Sequence, residues 1–374
     1  MAQMNYLTQC TFDFGATAQL PKVLKAHGVG RAFVVTDPGL KANGLLETLL
    51  AAMNEPPAAV FADTPPNPTE SASTAAASVY RASGADGIVA FGGGSSMDLA
   101  KAVGLLVTHE GPFERLGGSK RGMKFIGEIP PLIAVPTTAG TGSEVSPGAV
   151  VILDNGMKET FVSPHLVPIA AVCDPELTLG LPPLLTAATG MDAMTHCIEA
   201  VLTPVVHPPA EAIGVDGAER IGKWLQTAVN DGANRDARWH MMMGSFEGAL
   251  AFAKGLGAVH GLSHALGRIH ELKLHHGTLN AVILPHSLAM IGNAVEEKFA
   301  RLRRALGLAP NADLAQYIAD LNARIGLPPN LSAMGVKPEH GEGAIPYAVS
   351  DIATLSNAVP FDADKYSALF RRAL

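Results

Sequence analysis

A short apolar run, Gly87-Ile-Val-Ala-Phe91, passes without a break into Gly92-Gly-Gly-Ser-Ser96 and then into a helix-like stretch. A strand this apolar, with no alternation between its two sides, is what a sheet covered on both faces requires. Two further runs follow the same plan. Arg31-Ala-Phe-Val-Val-Thr-Asp37 ends in a turn at Pro38-Gly39, and Pro131-Leu-Ile-Ala-Val135 runs into Pro136-Thr-Thr138. Helix-like segments around 45–53 and 70–82 lie between the first two runs. Such alternation predicts an α/β domain with a Rossmann-like parallel sheet. The Gly-rich and polar segments then fall at the carboxyl ends of the strands, where open α/β sheets bind ligands.

The period changes at Leu181-Pro-Pro183. Beyond it, helical stretches are expected over 186–202, 210–229, 238–250, 259–266, 286–306 and 311–325, separated by breakers such as His207-Pro-Pro209 and Gly326-Leu-Pro-Pro329. At 374 residues the chain has room for two domains. The sequence predicts an α/β domain over 1–183 and an all-helical domain over 184–374. A formal charge of −7, spread without a basic block, argues against nucleic acid or an anionic membrane as partner. No run of about 18 apolar residues offers a membrane span. The start, MAQMNYLTQCTF, reads as having no leader peptide, and the cysteines Cys10, Cys173 and Cys197 form no CxxC pair. A reducing cytoplasm is the expected compartment.

The segment Gly92-Gly-Gly-Ser-Ser-Met-Asp-Leu-Ala-Lys101 suits a phosphate cradle. Glycines let the backbone approach an anion, and the free N–H groups of the first helical turn point at it. The plainer reading is a tight turn capped by serine. Pro136-Thr-Thr-Ala-Gly-Thr-Gly-Ser-Glu144 is a second polar loop able to wrap a ribose and pyrophosphate. Asp37, at the end of the first predicted strand, can accept from an adenosine ribose and repel a 2′-phosphate, favouring NAD over NADP; its plainer role is in an Asp-Pro-Gly turn. Together the strand ends favour a dinucleotide.

The helical half carries the stronger chemistry. Asp192 and His196 stand four apart, hence on one helix face, and His260 and His264 repeat that spacing. His270, His275 and His276 follow closely. A carboxylate with several imidazoles makes a ligand set for Fe²⁺, Zn²⁺ or a similar divalent ion. Cys197 is expected to face away from the ligand stripe as a packed thiol.

The ordered blocks GGGSSMDLAK, PTTAGTGSEV, GMDAMTHCIEA, VHGLSHALG and HHGTLNAVILPH resemble the signature blocks of the iron-containing (group III) alcohol dehydrogenase family, over essentially the whole chain. The resemblance implies that family's fold, shared with dehydroquinate synthase, and a homodimer or larger assembly. It implies Asp192, His196, His260 and His276 as metal ligands, with His264 near nicotinamide and substrate. Gly93, Gly94 and Ser95 would hold the pyrophosphate, while Thr137, Thr138, Thr141 and Lys158 would line the cofactor cleft. The stretch ALGRIHELKLHHG is about two residues longer than the family's common form. His275 therefore competes with His276 as ligand; register with Gly277–Pro285 favours His276. The extra His270, Lys273 and His275 would favour an anionic substrate, such as a hydroxy acid or semialdehyde, unless they form a solvated loop.

The implied reaction is metal-assisted hydride transfer between a small-molecule alcohol or aldehyde and NAD or NADP, with His264 relaying the proton. Rival readings are a glycerol dehydrogenase-like or maleylacetate reductase-like oxidoreductase of the same fold, and a non-catalytic dinucleotide-binding sensor or scaffold.

Overall fold

A computed structural model describes residues 8–374, save the side chains of His270 and Asn293. Residues 1–7, most of the segment read as carrying no leader, lie outside the described residues. These residues divide into two compact units, one of 8–138 with 142–178, the other of 139–141 with 179–374.

The first unit is an α/β layer structure. In chain order it runs β1 (Gln9–Phe12), α1 (Leu20–Ala26), β2 (Ala32–Val35), α2 (Pro38–Ala42), α3 (Leu45–Ala52), β3 (Ala59–Phe61), α4 (Glu70–Ser83), β4 (Gly87–Gly92) and α5 (Gly94–Thr108). It continues with β5 (Leu132–Pro136), β6 (Gly148–Ile152), β7 (Lys158–Val162) and β8 (Ala170–Cys173). Six strands form one parallel sheet in the order β1-β8-β5-β4-β2-β3. Alternate residues of each strand feed opposite cores. Val34, Val89, Phe91 and Val135 pack with Leu20, Leu46 and Leu49, whereas Phe33, Val35, Ile88 and Ala134 pack with Ala76, Met97 and Val103. Both faces are thus covered, which is why β2, β4 and β5 read as unbroken apolar runs.

From β2 the chain moves one way, to β3, and after β4 it moves the other way, to β5. The direction of winding therefore reverses between β2 and β4, and at such a reversal the loops at the carboxyl ends splay apart to leave room for a ligand. The sequence did not single out β1, β3 or β8, nor the antiparallel hairpin β6–β7. The hairpin has the half-buried alternation of an exposed pair, and its inner residues Ala149, Val151 and Phe161 join a third core with Leu105 and Phe113.

The second unit is helical: α6 (Pro183–Leu202), α7 (Pro208–Asn230), α8 (Arg235–Ala251), α9 (Ala258–Leu266), α10 (His276–Ile291), α11 (Glu296–Ala305), α12 (Leu314–Arg324), α13 (Pro338–Ser350) and α14 (Ala363–Ala373). From Thr186 to Leu202 every residue of α6 is buried, so this helix is the axis of the unit. The expected helix over 286–306 is instead two. α10 starts ten residues earlier, at His276, and α11 begins only at Glu296. Gly292, with φ of 52°, takes a conformation that ends α10 and which β-carbon-bearing residues avoid. Among the described residues no helix is long and apolar enough to cross a membrane.

Candidate metal and dinucleotide sites

In the α/β unit, the loops that the sequence singled out lie at the carboxyl ends of adjacent strands, since β2 pairs with β4 and β4 with β5. Gly93 precedes the first turn of α5 with no side-chain cap, and Gly93, Gly94 and Ser95 are all partly exposed. The N–H groups of that turn, with the helix dipole behind them, can accept an anion. Gly92 has φ of 147°, and a β-carbon there would stand 2.5 Å from Ser96 Oγ. A β-carbon on Gly93 would stand 3.2 Å from Thr138 Cγ2, so the glycines keep this end open.

Asp37 Oδ1 accepts from Gly39 N at 2.8 Å and Leu40 N at 3.1 Å, capping α2, and Ser96 Oγ donates to Oδ2 at 3.4 Å. Asp37 therefore does serve a turn, while its second oxygen faces the glycine-rich loop. Thr137 is buried at the end of β5, and Thr138 is half-buried. Thr141 packs with the helical unit, in a segment where a β-carbon on Gly140 would lie 2.6 Å from Thr189 Cβ. Lys158 opens β7, half-buried.

Two residues of GGGSSMDLAK that the sequence reading passed over hold this loop system together. Lys101 Nζ, fully buried, donates to Ser143 O, Ser143 Oγ, Ser146 O and Gly148 O at 2.7–2.9 Å. Asp98 accepts from Ser143 Oγ at 2.9 Å and Val150 N at 3.0 Å. Burial lowers the Lys101 ammonium to about 8, against the pull of Asp98 and Glu144, and raises the Glu144 carboxyl to about 7.

In the helical unit, α6, α9 and α10 bring the predicted ligands together. Around Asp192 Oδ1 stand His276 Nε2 at 3.5 Å, His260 Nε2 at 3.8 Å and His196 Nε2 at 3.9 Å. Gly277 permits the approach of α10 to α6, because a β-carbon there would lie 2.3 Å from Ala188 O. His275 goes elsewhere: its Nδ1 caps α10 at Thr278 N, 3.4 Å away. His264 stacks on His276 with ring centroids 5.2 Å apart and planes 13° apart. Cys197 Sγ lies 3.8 Å from Gly244 O, away from Asp192, and its thiol is raised by burial.

Three polar residues outside the predicted set complete this cluster. Glu199 Oε2 accepts from His260 Nδ1 at 2.6 Å and Oε1 from Val259 N at 2.9 Å. Glu199 lies seven residues after Asp192 and three after His196, so helical spacing would have found it. Asn280, one turn beyond His276, donates through Nδ2 to Asp192 Oδ1 at 2.7 Å and stands 3.2 and 3.1 Å from His260 Nε2 and His276 Nε2. Asp351 Oδ2 accepts from His264 Nδ1 at 3.0 Å across 87 residues of sequence, a pairing no local pattern announces.

Burial alone would raise Asp192, but His196, His276, His260 and the Asn280 amide outweigh it and hold the carboxyl at about 2. Burial drives His260 well below the usual histidine range, so its ring is neutral. With Nδ1–H committed to Glu199, His260 presents a lone pair at Nε2 toward the carboxylate. His196 Nδ1 and Asn280 Oδ1 are buried with no hydrogen-bond partner among the described residues. An ionised carboxylate with imidazoles converging on it costs free energy unless a cation completes the set. The donor set of oxygen and borderline nitrogen fits a divalent transition ion.

Residues 8–175 match the family model described as iron-containing alcohol dehydrogenase, and residues 186–374 match that of the family's C-terminal part. The chain is 47% identical to 4-hydroxybutyrate dehydrogenase of Cupriavidus necator, with all of both chains covered. It superposes on a crystal structure of 1,3-propanediol oxidoreductase with a TM-score of 0.93 at 32% identity, again over all of both chains. Sulfoacetaldehyde reductase from Bifidobacterium kashiwanohense, in complex with NAD+, superposes with a TM-score of 0.89 at 27% identity, over 100% of this chain and 98% of that one. The chain belongs to the iron-containing alcohol dehydrogenase family and is an oxidoreductase acting on CH–OH groups.

Proposed function

We propose that the chain oxidises an ω-hydroxy acid to its semialdehyde, or runs the reverse reduction, with NAD as the preferred dinucleotide. In this reading Asp192, His196, His260 and His276 hold one divalent ion, Fe²⁺ or a relative such as Zn²⁺. The observation that carries it is the convergence of three imidazole nitrogens within 3.5–3.9 Å of one buried carboxylate oxygen. When bound, the ion would supply polarisation of the substrate's C–O bond, and the dinucleotide would accept or supply the hydride.

The chain's own residues do the rest. Glu199 orients His260, and the Asn280 amide steadies Asp192. His264 takes the hydroxyl proton in oxidation and returns it in reduction. Gly93, Gly94 and Ser95 present N–H groups to the pyrophosphate, with Thr137, Thr138, Thr141 and Lys158 as further dinucleotide contacts. Asp37 Oδ2, which accepts from Ser96 Oγ, also accepts from the ribose. A carboxylate-bearing substrate is supported by the 47% identity to a 4-hydroxybutyrate dehydrogenase. The resemblance of the chain's signature blocks to the family implies a homodimer or larger assembly, which we place in the cytoplasm.

NADH-linked turnover against matched panels tests this reading. A higher kcat/KM for 4-hydroxybutyrate and its semialdehyde than for neutral alcohols and aldehydes of equal length is the expected result. A preference for the neutral series would remove the carboxylate from the account.

A further inference from the structure

We propose that Asp351 is a positioning residue that fixes which ring nitrogen His264 offers to the substrate hydroxyl. The inference rests on the reading of His264 as proton relay. Two constraints act on that ring. Stacking on His276, with planes 13° apart, sets the plane of the imidazole but leaves it free to flip end for end. The Asp351 carboxylate, 3.0 Å from Nδ1, chooses between the two orientations and between the two neutral tautomers. With the proton held on Nδ1, the lone pair is on Nε2, at the far edge of the ring. A histidine side chain in water prefers the opposite tautomer, so the relay depends on this contact.

Asp351 is itself held firmly. Its other oxygen, Oδ1, accepts from Ala353 N at 2.8 Å and caps the single turn 352–356. Ser356 Oγ fastens the end of that turn to the backbone of Leu256, accepting from N at 3.1 Å and donating to O at 3.0 Å. Leu256 lies just before α9, which carries His264. The carboxylate thus has one oxygen committed to a cap and the other to the histidine, and both sides of the contact are anchored to one framework.

Asp351→Asn separates positioning from mere capping. The amide oxygen still caps Ala353, while the amide nitrogen now donates toward Nδ1 and drives the proton to Nε2. The expected result is a fall in kcat of roughly 10²–10⁴-fold, with KM, metal content and melting temperature close to those of the parent. Asp351→Glu should recover part of the loss. Histidine-ring ¹⁵N–¹H correlation spectra of the zinc-loaded holoenzyme should show His264 protonated on Nδ1 in the parent and on Nε2 in Asp351→Asn. Parental kcat in Asp351→Asn, or an unchanged tautomer, would overturn the proposal. His264→Ala tells this apart from failure of the underlying reading: full turnover in that variant removes the relay itself, while the tautomer spectra still report on the pairing.

Discussion

The two units build their sites in opposite ways. In the α/β unit the chemistry is presented by backbone, as N–H groups at the start of α5 and loops at the ends of β2, β4 and β5. Side chains such as Lys101 and Asp98 serve there as internal ties. In the helical unit the chemistry is carried by side chains from three helices, and the backbone supplies only spacing and, at Gly277, room. A backbone site needs no particular side chain, only N–H groups and, at Gly92 and Gly93, room. Side-chain sites fail when one atom is lost, because the remaining buried charge is left uncompensated.

That contrast predicts unequal consequences. Asp192→Asn removes the anion at the centre of the helical cluster and should abolish metal retention and most turnover, exceeding the roughly 10–100-fold cost of losing an outer partner. Elemental analysis of the variant checks it, and dinucleotide affinity should stay unchanged. Glu199→Gln, which keeps shape but not charge, should weaken metal affinity by about 10–100-fold, read by competition with a chelator of known affinity. In the other unit, Asp37→Gly should reduce the preference for NAD over NADP only several-fold, on the scale of one hydrogen bond at about 1 kcal/mol. An unaltered cofactor ratio would confine Asp37 to capping α2.

The smallest effect concerns a buried carboxyl within the α/β unit. Glu144 has a folded-state pKa of about 7, above its ordinary 4.5. The folded form therefore binds the proton more tightly, and stability from this group is lost as pH rises from 4.5 to about 7. Glu144→Gln should escape that loss, so its melting temperature should gain about 2–4 °C on the parent between acidic and mildly alkaline buffer. A pH-independent difference would show that Glu144 does not titrate in this window.

The same contrast explains what the sequence made legible. β2, β4 and β5 announce themselves because burial on both faces leaves no polar residue in them, and their ligand loops follow directly. β1 and β8 pair at a separation of about 160 residues, as Gln9 with Ala170, and no local pattern encodes that register. Asp192 with His196, and His260 with His264, are legible because four residues make one helical turn. The start of α10 at His276 was hidden by the polar His-His-Gly sequence, which reads as loop until His275 is seen as its cap. Asp351 reaches His264 only through the packing of α13 on α9 and was invisible to any spacing rule.

Metal content with and without chelation tests the central claim most directly. The purified chain should carry a stoichiometric divalent ion, lose NADH-linked turnover when that ion is stripped, and regain it on addition of Fe²⁺ or Zn²⁺. Full turnover in metal-free protein would contradict the assignment of Asp192, His196, His260 and His276.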